Sequence, residues 1–144
     1  MLRKLRLSDV EAIQQINATA LGYAVSVAQV QAYLGQLLAD TDHQCLIGWA
    51  DPTTDELQGY VQAELYQSLY APAMFNVMGL AVAESAQHQG IGRALMTALE
   101  QTAQDKGLAG IRLNSGMSRT GAHQFYTRLG YISNKDQRRF YKEI

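Results

Sequence analysis

The amino-acid sequence predicts one α/β domain of the α+β kind, with a mixed sheet flanked by helices. Stretches that alternate apolar and polar residues, typical of strands, are interspersed with stretches whose apolar residues recur every three or four positions, as in helices. Hydrophobic residues make up 47% and charged residues 17% of the 144 positions, an ordinary globular balance. We therefore expect residues 1–144 to form a single domain.

The predicted helices are recognised by their ends as well as by their apolar spacing. Ser8 with Glu11 has the pattern of a capping box, which predicts that a first helix begins at Ser8. The other predicted helices are 26–38, 91–106 with Gly107 as its C-cap, and a short one that Gly130 ends. Predicted strands lie around Leu5 and at 44–50, 57–66, 75–83, 111–113, 131–132 and 139–141.

Charge and composition exclude several classes of function. Twelve Lys and Arg residues against thirteen Asp and Glu give a formal net charge of −1, and no basic run is longer than Arg138–Arg139. A nucleic-acid partner is therefore not expected. Cys45 is the only cysteine and the three histidines are at unrelated spacings, so we expect neither a disulfide nor a metal site. The sequence shows no signal peptide and no membrane span, which predicts a cytoplasmic protein without a membrane partner.

The loop 87–93 carries the strongest chemical signal. It joins an apolar strand to the start of a long helix, and Gly90 and Gly92 allow the backbone conformations and close approaches that side chains block. Amides at a helix start suit a pyrophosphate, and Arg93 adds a cation. The dinucleotide fingerprint fails because Leu95 stands at its third glycine position. The two glycines alone are equally compatible with a simple strand-to-helix turn.

A second motif lies about thirty residues further on. The spacings Gln87-x-x-Gly90-x-Gly92 and Arg119-x-x-Ala122-His123-x-Phe125-Tyr126-x-x-x-Gly130-Tyr131 together resemble the GNAT superfamily of N-acetyltransferases, and Leu21-Gly22-Tyr23 resembles a bacterial branch of it. The resemblance covers essentially the whole chain. It implies a mixed, mostly antiparallel sheet of about six to seven strands, splayed at its central strands and flanked by about four helices. It also implies an acyltransferase that uses acetyl-coenzyme A.

The resemblance implies a location for each part of acetyl-coenzyme A. The pantetheine arm would pair with backbone groups of the strand 75–83 that are unpaired with the next strand, and the pyrophosphate would bind the loop 87–93. Asn114 and Arg119 are further candidates, Arg119 also as a helix cap. The implied cofactor contacts are Leu80, Ala81, Val82, Gln87, His88, Gln89, Gly90, Ile91, Gly92, Arg93, Asn114, Arg119 and Tyr126.

Acetyl transfer by direct attack, through a tetrahedral intermediate, needs a neutral amine and a proton for the departing thiolate. Tyr126 matches the family tyrosine that often supplies this proton. The usual glutamate base, eleven residues before Gln87, is replaced by Asn76, which accepts no proton at neutral pH. Glu64 is the substitute we favour, acting through a water. A merely solvated Glu64, with bulk water as the base, is the alternative.

The acceptor is predicted to be a primary amine of a small molecule. Candidate acceptor contacts are Tyr23, Glu64, Tyr66 and Asn76. Two other functions stay open at this point: a protein or peptide N-acetyltransferase, and a non-catalytic acyl-coenzyme A sensor, which Asn76 at the base position would suit. The resemblance also leaves a homodimer open.

Overall fold

The computed structural model describes all 144 residues, and its internal contacts divide the chain into two compact units, residues 1–113 and 114–144. The strands of the first unit are β1 (Leu2–Lys4), β2 (Gln44–Ala50), β3 (Leu57–Tyr66), β4 (Met74–Val82) and β5 (Ile111–Leu113). Its helices are α1 (Val10–Ile16), α2 (Val27–Ala39) and α3 (Ile91–Asp105). The second unit contains α4 (Thr120–Arg128). A membrane-crossing helix would need a longer apolar stretch than any helix here has.

Helices cover both faces of the five-stranded sheet, whose strands lie in the order β1-β2-β3-β4-β5. Successive strand residues point to opposite faces. Gly59 on β3 faces the side chain of Ile91 on α3, whereas the next residue, Tyr60, donates a hydrogen bond to Asn17 beyond the end of α1. The α3 face buries Leu95, Met96 and Leu99 completely. The opposite face packs α1 and α2 against the sheet around Tyr60. Burial of these two apolar layers stabilises the unit.

The sheet opens between β4 and β5. All other neighbouring strands are antiparallel, but β4 and β5 are parallel and pair only from Phe75 to Val77. Directly after this point β4 has a bulge, because Gln62 and Ala63 on β3 pair with Gly79 and Val77 and leave Met78 without a partner. The remainder of β4 therefore has β3 on one side and no strand on the other. The implied splay at the central strands is confirmed.

The mixed α/β fold class and the predicted bounds of β2, β3 and β5 are also confirmed. The predicted strands at 131–132 and 139–141 are wrong, and the sheet has five strands rather than six or seven. Ile132 and Phe140 are more than four-fifths exposed. A short alternating stretch becomes a strand only where a neighbour offers its backbone, and residues 114–144 contain no strand.

The predicted capping box at Ser8 is also wrong. A single 3-10 turn (Leu7–Asp9) precedes α1, and the carboxylate of Asp9 accepts a hydrogen bond from the backbone N–H of Arg6 at 2.8 Å. Two guanidinium nitrogens of Arg3 donate to the same carboxylate at 2.9 and 2.8 Å. Asp9 is buried and Ser8 exposed. The ion pair of Arg3 with Asp9 and the Arg6–Asp9 hydrogen bond, rather than the Ser8–Glu11 spacing, therefore form the turn that leads into α1.

Candidate active site

The open edge of β4 presents backbone groups of only some of its residues. Ala83 N–H donates to the carbonyl of Gln58 at 2.8 Å, so these two residues form a hydrogen-bonded antiparallel pair. Hydrogen-bonding direction alternates along a strand. Ala81 therefore directs its backbone towards β3, whereas Leu80 and Val82 direct theirs towards the open side. We expected the backbone groups of Leu80, Ala81 and Val82 all to be unpaired on the open side. For Ala81 this expectation is wrong.

The loop 87–93 holds two left-handed residues just before α3. Gly90 precedes the helix with φ +79°, and His88 has φ +62°, a conformation uncommon for a residue with a side chain. A Cβ atom at Gly90 would meet no other heavy atom within 4 Å, so this side of the loop is open. The side-chain amide of Gln87 donates to the carbonyl of Val82 at 3.1 Å and ties the loop to the end of β4.

The remaining loop residues divide between core and surface. Ile91 is 3% exposed and contributes its side chain to the core, so only its backbone N–H is available to a ligand. Gln89 and Arg93 are exposed, and Gly92 is half-buried. The first amides of α3 have no partner within the helix. The loop thus offers backbone N–H groups, the positive end of a helix dipole and one exposed guanidinium.

A row of polar side chains crosses β3, β4 and β5 at the foot of the opening. Glu64 pairs in register with Asn76, and Asn76 pairs with Arg112. The Asn76 amide NH2 donates to Glu64 Oε1 at 3.1 Å, and Arg112 Nη1 donates to Asn76 Oδ1 at 2.7 Å. The Arg112 guanidinium lies 4.6 Å from the centre of the Tyr66 ring. Three of the predicted acceptor contacts, Glu64, Tyr66 and Asn76, are thereby brought together.

Arg112 is the member of this polar row that the sequence did not single out. It stands in the short apolar strand Ile111-Arg112-Leu113. A charged residue between two apolar ones in a short strand is a usable signal, because buried charges are usually paired. The partner itself depends on the parallel register of β4 and β5, which the sequence does not give.

Tyr23 lies apart from the polar row. It belongs to the connection between α1 and α2 and is 64% exposed, and no hydrogen bond or ring contact joins it to Glu64 or Asn76. No cluster of three or more His, Cys, Asp or Glu residues that could hold a metal ion is present.

A cavity of about 350 Å³ lies between α2 and the sheet, on the same face as the polar row. We call it the α2 cavity. No charged side chain lines it, and most of its wall is aliphatic. Tyr60 and Gln62 of β3 form its sheet side, and Gln62 is two residues from Glu64 on the same face. Burial raises the pKa of Tyr60 to about 12, so its hydroxyl stays protonated and donates to Asn17.

In residues 114–144, Tyr126 is the seventh residue of α4. Its ring makes edge-to-face contacts with Phe125 and Tyr131, at 5.1 and 5.8 Å between centroids. Burial raises the pKa of the Tyr126 phenol, and the charge of Arg119 partly opposes this. The phenol is therefore protonated at neutral pH and can donate a proton.

Four other polar residues of this unit lie before α4 or in its first turns: Asn114, Ser115, Arg119 and His123. Arg119 occupies the N-cap of α4, but its side chain makes no capping hydrogen bond. His123 Nε2 is 2.9 Å from the carbonyl oxygen of Gly116 and joins α4 to the preceding turn. Asn114 is exposed, whereas the neighbouring Ser115 Oγ is buried and has no hydrogen-bond partner within the protein. A buried hydroxyl without a partner is costly and suits a site that a ligand atom completes.

The comparisons with known proteins agree with this geometry. Residues 10–131 match the Acetyltransferase (GNAT) family, and this chain belongs to that family. No curated protein matches the sequence. The fold is similar to that of a transcriptional regulator from Bacillus halodurans (22% identity, TM-score 0.85), with 99% of each chain covered.

Two further solved structures share the fold. An acetyltransferase from Trypanosoma brucei has 18% identity and a TM-score of 0.80, with 99% of each chain covered. Glucosamine-6-phosphate N-acetyltransferase from Arabidopsis thaliana has 13% identity and a TM-score of 0.82, covering 99% of this chain and 98% of that one. At these identities the likeness concerns the fold alone.

Proposed function

We propose that this protein is an N-acetyltransferase that moves an acetyl group from acetyl-coenzyme A to the primary amine of a small molecule. In this proposal residues 1–144 act as a single N-acetyltransferase domain in the cytoplasm. The observation that carries it is the open edge of β4, which leads directly into a loop of exposed helix-start amides. Membership of the GNAT acetyltransferase family supports acyl transfer as the reaction class.

The residues present suit acetyl-coenzyme A. Backbone groups of Leu80 and Val82 would pair with the amides of the pantetheine arm, as another strand would. The N–H groups from Gly90 to Gly92, with the positive end of the α3 dipole, would bind the pyrophosphate, and Arg93 would add a cation. Asn114 and Arg119 are assigned to the same ligand from the motif. When bound, the coenzyme supplies an activated acetyl thioester.

Glu64 is the proposed base. A small alkyl amine resembles the lysine side chain, whose ordinary pKa of about 10.4 leaves it protonated at neutral pH. The amine must lose this proton before its lone pair can attack the acetyl carbon. Glu64 has one carboxylate oxygen held by Asn76, and it would take the proton through a water with the other oxygen. Tyr66, Asn76 and Tyr23 are the proposed acceptor contacts around it.

Tyr126 is the proposed acid. Attack of the amine nitrogen on the acetyl carbon would give a tetrahedral intermediate, and its collapse would break the carbon–sulfur bond and release the thiolate. A phenol is protonated at neutral pH, so the Tyr126 hydroxyl would be available to donate a proton to that sulfur.

Two measurements on the full chain test the proposed function. Calorimetric titration with acetyl-coenzyme A should give saturable binding, and a thiol reagent should detect free coenzyme A when a panel of amines is added. The panel should include alkylamines, diamines, amino acids and aminoglycosides. Binding without thiol release on any acceptor would instead indicate an acyl-coenzyme A sensor. Acetylation of peptide amines in preference to every small amine would point to a protein acetyltransferase.

A further inference from the structure

We infer that the acceptor is a primary monoamine with an uncharged, apolar tail, and that this tail occupies the α2 cavity. The inference rests on the proposed function and names its substrate class. It combines the lining of the cavity, its size, and its position relative to Glu64.

The lining of the α2 cavity selects an uncharged group. Leu5, Val30, Leu34 and Leu46 are among its walls, and none of its lining residues is Asp, Glu, Lys or Arg. A second ammonium group on the acceptor would enter a space without any carboxylate to pair with, which is strongly unfavourable. The polar groups on its sheet side include the hydroxyl of Tyr60, which is already bonded to Asn17.

The size of the α2 cavity sets the size of the tail. An apolar cavity of about 150 Å³ holds one benzene molecule, and the α2 cavity has about 350 Å³. An alkyl chain of several carbons, or one aromatic ring on a short linker, therefore has room. Tyr33 and Gln36 of α2 line the cavity and are exposed, so part of it opens to solvent and a ligand can enter there.

The position of the α2 cavity aligns the tail with the proposed base. Gln62 lines the cavity, and Glu64 is two residues further along the same face of β3, about 6.6–6.8 Å away along the strand. Gln62 also pairs with Gly79, the first residue of β4 after the bulge that begins the opening. A tail seated beside Gln62 would leave its amino group near Glu64 and the open edge of β4.

A series of straight-chain primary amines, from ethylamine to octylamine, tests this inference. We expect kcat/KM for acetylation and the calorimetric association constant to rise by about fourfold for each buried methylene until the cavity is full. Hexylamine and 1,5-diaminopentane have the same number of heavy atoms and differ in that an ammonium replaces the terminal methyl. We expect hexylamine to be preferred at least about tenfold.

Two valines on α2 provide a matched pair of variants. Val30 is 7% exposed and lines the cavity, whereas Val27 is 41% exposed and does not. Val30→Phe adds about four carbon atoms inside the cavity and should move the optimum of the series to shorter chains. Val27→Phe should leave the optimum unchanged. If Val30→Phe does not fold, Val30→Ala should move the optimum to longer chains.

The outcomes separate this inference from the proposed function. Equal acetylation of hexylamine and 1,5-diaminopentane, or identical series for Val30→Phe and Val27→Phe, would overturn the inference and leave acetyl transfer standing. Chain-length-dependent binding that responds to Val30 substitutions, with no acetyl transfer, would keep the cavity as an apolar amine site and refute the proposed function. Neither binding nor transfer along the series would overturn the inference alone, because the wider panel of amines tests the proposed function.

Discussion

The loop 87–93 and the polar row of Glu64, Asn76 and Arg112 serve two halves of the same proposed reaction but are built differently. The loop offers mostly backbone: amides at the start of α3, set by left-handed conformations at His88 and Gly90. The polar row offers side chains, which come from three strands and are held in line by two hydrogen bonds.

The loop and the polar row should therefore respond differently to amino-acid substitution. A backbone site depends on conformation, so a few glycine positions control it and most side chains there are replaceable. A side-chain row depends on the identity of each member and on strand register, so conservative replacements reveal the role of each group. Substitutions in the loop and in the polar row test these two kinds of sensitivity, and a substitution of Tyr126 tests the proposed acid.

The largest effect is expected from a single hydroxyl group. Tyr126→Phe keeps the ring and its edge-to-face contacts but removes the proposed proton donor. General acid catalysis contributes about 10²- to 10⁴-fold, so kcat should fall within that range while affinity for acetyl-coenzyme A changes only a few-fold. Steady-state kinetics with the thiol-release assay measures both quantities. Tyr141→Phe, at an exposed position, is the control.

A loss confined to KM would assign Tyr126 to binding rather than proton transfer. Full activity of the folded variant would refute the role and leave a water, or the ammonium of the acceptor, as the donor.

The next largest effect concerns the backbone site. Gly90→Val should reduce affinity for acetyl-coenzyme A on the order of 100-fold, because a β-branched residue does not hold φ +79° and the rearranged loop displaces its amides. Gly107→Val is a matched control: Gly107, beyond the other end of α3, has φ +68° and equally open surroundings. Both variants should lose about 1–2 kcal/mol of unfolding free energy.

Calorimetric titration and thermal unfolding of the two variants separate binding from stability. If both bind acetyl-coenzyme A as the unaltered protein does, the loop is a turn without a role in the cofactor site. The same test applies to Gly92→Val, which should also retain its fold and lose binding.

The sequence predicted the backbone half of the site better than the side-chain half. Glycines, an apolar strand and a long amphipathic helix are local features, so their order alone indicates a loop that presents amides. The bounds of β3 and β5 were predicted for the same reason. Even here Ile91 lies in the core through its side chain, and Gln87 bonds back to Val82.

The polar row could be predicted only in part, because it depends on register. The sequence indicates Asn76 through the family motif and Glu64 as the substitute for the replaced base. Their hydrogen bond, and the approach of Arg112 from β5, follow from pairings between residues 12 and 36 positions apart. The strands predicted at 131–132 and 139–141 are wrong for the same reason. Alternation indicates that a segment can form a strand, but the strand forms only where a neighbouring strand pairs with it.

Within the polar row, Glu64 should show the greatest sensitivity. Glu64→Gln keeps the size and an oxygen that accepts from Asn76, but it removes the capacity to take a proton. We expect kcat/KM at neutral pH to fall by about 10- to 100-fold and the acidic limb of the pH–rate profile to be lost or displaced. The control is Glu56→Gln, at an exposed position. Gln62 is not used for this purpose because it lines the α2 cavity. Identical profiles for the unaltered protein and Glu64→Gln would identify solvent as the base.

The smallest effect should come from Asn76, because it acts through Glu64. Asn76→Ala removes both the donor to Glu64 and the acceptor of the Arg112 guanidinium. We expect kcat/KM to fall only a few-fold, with the acidic limb still present, since the carboxylate remains but is less firmly oriented. A double-mutant cycle gives the decisive measurement: in the Glu64→Gln background the same replacement should have almost no further effect on kcat. If the two substitutions instead reduced kcat independently, so that their fold-losses multiplied, Asn76 would contact the acceptor directly. The side-chain half of the site would then consist of two separate groups rather than one connected row.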